Sequence, residues 1–82
     1  MNSDPDITHL IGLIIDIIHE RRTALAVSKK RLAEMSGVTR TAILLMERHD
    51  RSPSLELLLR LARALGIPFS EVVREAELRS RI

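Results

Sequence analysis

Residues 28–55 read SKKRLAEMSGVTRTAILLMERHDRSPSL, and the spacing inside that stretch decides the fold. Ala33, Gly37 and Ile43 stand at relative positions 0, +4 and +10, with Leu32 and Val38 beside the first two and Met46 three residues past the last. Each position has a geometric reason. Where two short helices cross steeply, the residue of the first that faces the second must be small, and Ala33 is. The turn between them needs a positive φ, which glycine adopts at little cost, and Gly37 stands there. Val38 and Ile43 fill the angle between the helices, while Leu32 and Met46 tie the pair to the rest of a core.

Both helices carry their own start signals. Ser28 caps a helix from Lys29 to about Ser36, and Thr39 caps another from Arg40 to about Arg48. The whole is the spacing of a helix-turn-helix. Beyond it, His49 to Ser52 is polar and reads as loop. Ser52 with Pro53, or Ser54 alone, then starts a fourth helix in which Leu55, Leu58, Leu59, Ala62 and Leu65 recur at helical spacing. Gly66 supplies a left-handed stop, and Pro68 opens a fifth helix with Phe69, Val72, Val73 and Ala76 as its buried stripe and a frayed, charged tail. Upstream, Asp4-Pro5-Asp6 is a helix start, acceptor at the cap and proline at the first turn. Ile7, Leu10, Ile11, Ile14, Ile18 and Leu25 form one stripe of that first helix, and Leu13 with Ile17 widens it beyond what a single packing partner requires. The expectation is an all-α, five-helix single domain over residues 1–82.

Length and composition narrow the function. Eighty-two residues allow one domain, with no room for a ligand-sensing domain or a large interdomain cleft. The absence of cysteine rules out a disulfide framework and thiolate metal sites and fits the cytoplasm. The longest apolar run, Leu10 to Ile15, is far short of the ~20 residues a membrane span needs. The acidic N-terminus is unlike a signal peptide. His9, His19 and His49 have no metal-ligand spacing, and no nucleophile, paired carboxylate or glycine-rich phosphate loop stands out. Neither an enzyme nor a cofactor is expected.

The net charge of +2 conceals how the charges are distributed. Residues 1–20 carry four acids and no Lys or Arg. Residues 21–51 carry eight basic groups (Arg21, Arg22, Lys29, Lys30, Arg31, Arg40, Arg48, Arg51) against three acids, and residues 52–82 are nearly balanced. The cationic third coincides with the helix-turn-helix, which points towards nucleic acid.

On these residues, Ser28 to Leu55 followed by LLRLARALGIPFSEVV, the chain resembles the lambda-repressor-like, Xre/Cro-type helix-turn-helix family. The resemblance covers about residues 14–75, leaving residues 1–13 as an N-terminal extension of the first helix and 76–82 as a C-terminal tail. It implies that the second helix lies across the DNA backbone and the third enters the major groove, in a homodimer spanning two half-sites of a palindromic operator. It further implies that Lys29 grips a phosphate at the start of the second helix. Thr39, Arg40, Thr41 and Leu45 match positions that meet bases or adjacent phosphates, Arg48 and Arg51 match the backbone-binding stretch that follows, and Arg22 with Glu47 matches an ion pair bracing the first helix against the third.

Electrostatics supports the same face independently. Lys29, Lys30 and Arg31 occupy the first turn of a helix, where the macrodipole disfavours each cation by ~0.3–1 kcal/mol. A phosphate at that helix end would offset the repulsion by meeting backbone N–H groups and the three cations together. Arg40, at the start of the third helix, has the reach for a bidentate contact to guanine, or for phosphate alone. Leu45 should face outward, where it could meet a thymine methyl, contact a protein partner, or fill a crevice under the following loop.

Two functions follow. The first is a sequence-specific DNA-binding regulator, acting as a homodimer through Ile67, Phe69, Val72 and Val73. Its rival is a protein-interaction module that keeps the fold without reading DNA, motivated by the apolar surplus at Leu44, Leu45, Leu13 and Ile17.

Overall fold

A computed structural model describes residues 4–81 of the chain; Met1, Asn2 and Ser3 of the N-terminal extension and Ile82 of the tail lie outside the described residues. Five helices and no strand make up those residues: α1 (Pro5–Ala24), α2 (Lys29–Ser36), α3 (Arg40–Glu47), α4 (Leu55–Ala64) and α5 (Phe69–Ser80). Four of the five begin on a side-chain cap. Asp4 Oδ1 accepts from the backbone N–H of Asp6 at 2.9 Å, Ser28 Oγ from Arg31 at 3.0 Å, Thr39 Oγ1 from Ala42 at 3.1 Å, and Ser54 Oγ from Leu57 at 3.1 Å. Ser54, not Ser52, therefore sets the start of α4. The backbone turns left-handed at Gly37 (φ 74°) and Gly66 (φ 73°), where the sequence placed glycine, and also at Ala26 (φ 57°) and His49 (φ 59°), where it did not.

α1 runs through the middle of the molecule, packed along α5 on one side and against α3 on the other, while α2 packs on α3 and α4. This position explains its unusual width of apolar surface. Ile14, Ile15, Ile17 and Ile18 are all buried, covering about 160° of the helix circumference at 100° per residue. Ile17, expected as surplus, is only 1% exposed, and Leu13 is half-buried against the core. A helix sandwiched between two neighbours needs both stripes. Its ends are different: Ile7 in the first turn and Leu25 at the C-cap stay exposed.

The inward face of α4 is also displaced from its expected line. Leu58, Leu61, Ala62 and Leu65 are buried, whereas Leu55 and Leu59 face solvent. A run of five leucines within residues 55–61 satisfies several helical stripes at once, so packing against α2 selects which one is buried. The tail expected to fray instead continues as helix to Ser80, with Ala76 fully buried. Arg79 holds it down by donating from both terminal guanidinium nitrogens to Glu20 of α1, and from Nη2 also to Glu75.

Candidate nucleic-acid interface

The turn joining α2 to α3 is closed by local hydrogen bonds. The Gly37 N–H donates to the Ala33 carbonyl at 3.0 Å, and Ser36 Oγ donates to the Leu32 carbonyl at 2.7 Å while accepting from the Val38 N–H at 3.3 Å. Leu32, Ile43 and Met46 are buried to 1% exposure or less, and Ala33 and Val38 are half-buried at the helix crossing. The two helices are therefore one packed unit rather than two hinged ones.

A second device fixes the angle of that unit. Arg22, at the end of α1 and 7% exposed, donates from Nε to Glu47 Oε2 at 2.7 Å and from Nη2 to Glu47 Oε1 at 2.9 Å. Its remaining terminal nitrogen, Nη1, donates to the Val27 carbonyl at 2.8 Å, one residue before the cap of α2. One guanidinium thus ties α1 to the last residue of α3 and to the entry of α2. His19 Nδ1 completes the cluster, 3.1 Å from Glu47 Oε1. Burial pushes the Glu47 carboxyl up, but the Arg22 hydrogen bonds and charge, helped by His19, outweigh it and leave the group below the ordinary carboxylate value. His19 is part of this brace, a role that no spacing in the sequence reveals, because α3 supplies its partner.

The starts of α2 and α3 come together at a shallow hollow of about 280 Å³ lined by Lys29, Arg40, Thr41 and Leu44. Arg40 and Thr41 are exposed, Thr39 is exposed at the cap, and Lys29 is half-buried. Lys30 and Arg31 are exposed on the same first turn of α2, which contains no acid, although Arg31 lies 3.5 Å from Glu34. Beyond α3, Arg48 is exposed and 3.0 Å from Asp50, and Arg51 lines a separate hollow of about 420 Å³ floored by Val38, Ala42, Met46 and Pro53. Among the described residues Lys29, Lys30, Arg40 and Arg51 have no acidic partner within salt-bridge distance.

Leu45 is half-buried rather than outward-facing, and its neighbour Leu44, 37% exposed, is the leucine that joins Arg40 and Thr41 at the hollow. The signal was available: Leu44 follows Arg40 by four and Thr41 by three, the spacing of a shared helix face. Of the residues expected at a dimer interface, Val72 is 1% exposed and belongs to the core, Val73 is half-buried against it, and Ile67 and Phe69 line a groove beside α4.

The sequence matches the helix-turn-helix family over residues 18–72, which spans all of α2, α3 and α4. This chain belongs to the Xre/lambda-repressor-like helix-turn-helix family. It is also 48% identical over 50 residues to an uncharacterized HTH-type transcriptional regulator of Methanothermobacter thermautotrophicus strain Delta H, a match covering 61% of this chain and 72% of that protein. The Xre-like family is one of DNA-binding transcriptional regulators, and its all-α fold is the one described above. The match begins within α1, at residue 18, so the earlier part of that helix lies outside the matched region. No helix is long and apolar enough to cross a membrane among the described residues.

Proposed function

We propose that this chain is a sequence-specific, non-catalytic regulator that binds duplex DNA as a homodimer, with α3 in the major groove of each half of a palindromic operator. In this reading Lys29, Lys30 and Arg31 hold phosphates at the start of α2, Arg48 and Arg51 hold them beyond α3, and Thr39, Arg40 and Thr41 face base edges. The observation that carries it is the hollow at which Lys29 of one helix meets Arg40 and Thr41 of the next, because phosphate and base contacts must be presented side by side on one surface. Leu13 and Ile17 are taken up by the core, which leaves Leu44, Leu45 and the N-terminal extension of the first helix, with Ile7 exposed, as the motives for a purely protein-binding module.

The test is binding of labelled duplex carrying the chain's own upstream region against random competitor. Specific retention is expected, with affinity falling as salt rises at a slope near −0.9 for each phosphate neutralised. A protein that binds no duplex at low salt would overturn the proposal.

A further inference from the structure

Away from the cationic face, a groove of about 780 Å³ runs between the end of α2, the outer side of α4 and the turn into α5. Its lining is part apolar and part charged: Met35 and Leu59 are 42% and 45% exposed, and half-buried Ile67 and Phe69 lie beside them. Grouped large apolar side chains on so small a molecule mark a surface that another chain covers. The charges along the groove say which one. Glu56, Arg60 and Arg63 lie along its α4 side; Glu56 pairs with Arg60 at 3.3 Å, and Arg63 has no acidic partner among the described residues.

Glu56 and Arg63 are seven residues apart, so they share one face of α4 about 10 Å apart along its axis, with Leu59 midway between them. That pattern is complementary to itself when reversed. A twofold axis passing beside Leu59 and Arg60 sets Glu56 of one copy against Arg63 of the other, and the reciprocal pair forms by symmetry. Leu59 then meets Leu59 of the second copy, and Met35 and Phe69 close the sides. Such a face meets its own image through the reciprocal Glu56–Arg63 pairs, while Arg60, its charge offset by Glu56 of its own chain, lies beside its copy at the rim of the axis.

We propose that the occupant of this groove is a second copy of the chain, held by antiparallel packing of α4 on α4. This rests on the homodimer reading above; it keeps Ile67 and Phe69 of the interface expected in the sequence, replaces Val72 and Val73, which pack into the core, and adds α4 and the end of α2.

The test is charge reversal followed by sedimentation equilibrium, with circular dichroism to establish folding. Glu56→Arg and Arg63→Glu, each on an exposed position, should each raise the dimer dissociation constant about tenfold or more by setting like charges against each other twice. The double variant should restore the dimer towards wild type. Because the chain has no cysteine, Leu59→Cys should also oxidise to a single covalent dimer, the two identical positions lying within disulfide reach only beside the axis. A wild-type dimer indifferent to the single reversals, or not rescued by the double one, would overturn this interface and leave the homodimer reading intact. A wild-type protein that is monomeric at high concentration would overturn both, including the case in which a different protein protects Leu59→Cys from a thiol reagent.

Discussion

Arg79 and Glu20, 59 residues apart, face each other through two hydrogen bonds of 2.9 Å each, and that link fastens the last turn of α5 to α1. The Arg79 hydrogen bond is the main cause that lowers the Glu20 carboxyl below its ordinary value, and burial opposes it. Glu20 is exposed and Arg79 half-buried at the surface, so the pair contributes local order more than global stability. Arg79→Ala should leave the denaturation midpoint almost unchanged while accelerating amide exchange at Glu77 to Ser80. Exchange as slow as in the wild type would show that Ala76 and its apolar contacts hold the turn unaided.

The brace at Arg22 should behave in the opposite way. Removing one partner of a buried pair strands the other, so Arg22→Ala or Glu47→Ala should cost about 3–5 kcal/mol in urea unfolding. Since the folded carboxyl of Glu47 titrates below its ordinary value of 4.5, its contribution is fully present above that value and is lost as pH falls through the folded one. Wild-type stability should therefore decline on acidification below about pH 4.5, and Glu47→Gln should flatten that decline.

Two substitutions on the proposed DNA face should separate positioning from reading. Lys29→Ala should weaken binding to all duplexes alike and reduce the salt slope by about 0.9. Arg40→Ala should instead narrow the gap between operator and competitor, by about 1–3 kcal/mol if it holds a guanine. An unchanged specificity ratio for Arg40→Ala would assign that side chain to phosphate.

Leu44 and Leu45 should respond differently to truncation. Leu44→Ala at the exposed hollow should shift stability by no more than about 0.5 kcal/mol, whereas Leu45→Ala, half-buried, should cost more. Replacing operator thymines with deoxyuridine deletes methyl groups alone. If Leu44 meets one of them, the wild type should lose affinity on that duplex and Leu44→Ala should not.

The two kinds of left-handed residue give a matched pair of backbone tests. Ala26, at φ 57°, carries a Cβ in a conformation costing about 1–2 kcal/mol, so Ala26→Gly should stabilise the fold by roughly 0.5–1 kcal/mol after the extra chain entropy is counted. Gly37→Ala should destabilise it by about 1 kcal/mol through backbone strain alone, since a Cβ there would meet only Arg60 Nη1 at an ordinary 3.5 Å.

What could be read from the chain beforehand follows from how local each signal is. Ser28, Thr39 and Gly37 act on backbone within three or four residues, so caps and turn were legible from adjacent letters. Leu55, Leu59 and Leu61 were not separable, because leucine is compatible with either side of an amphipathic helix and only the position of α2 distinguishes them. Ala26 and His49 are harder to read because neither is glycine, yet each closes a helix end by local bonds, Val27 N–H to the Arg22 carbonyl and Asp50 N–H to the Leu45 carbonyl. The hollow itself is half legible: Lys29, Arg40 and Thr41 stand out in the sequence, whereas the leucine beside them is Leu44, one residue before the Leu45 expected to face outward.

The three-way grip of Arg22, on Glu47 and on the Val27 carbonyl, has a mechanical consequence for recognition. Entry of α2 and exit of α3 are both pinned to α1, so the reading head cannot swivel to suit each site. Adaptation on docking is therefore left to the duplex. In the proposed homodimer, steps that bend easily between the half-sites should favour binding even where no side chain touches them, and the proposed operator should be recognised partly by its stiffness.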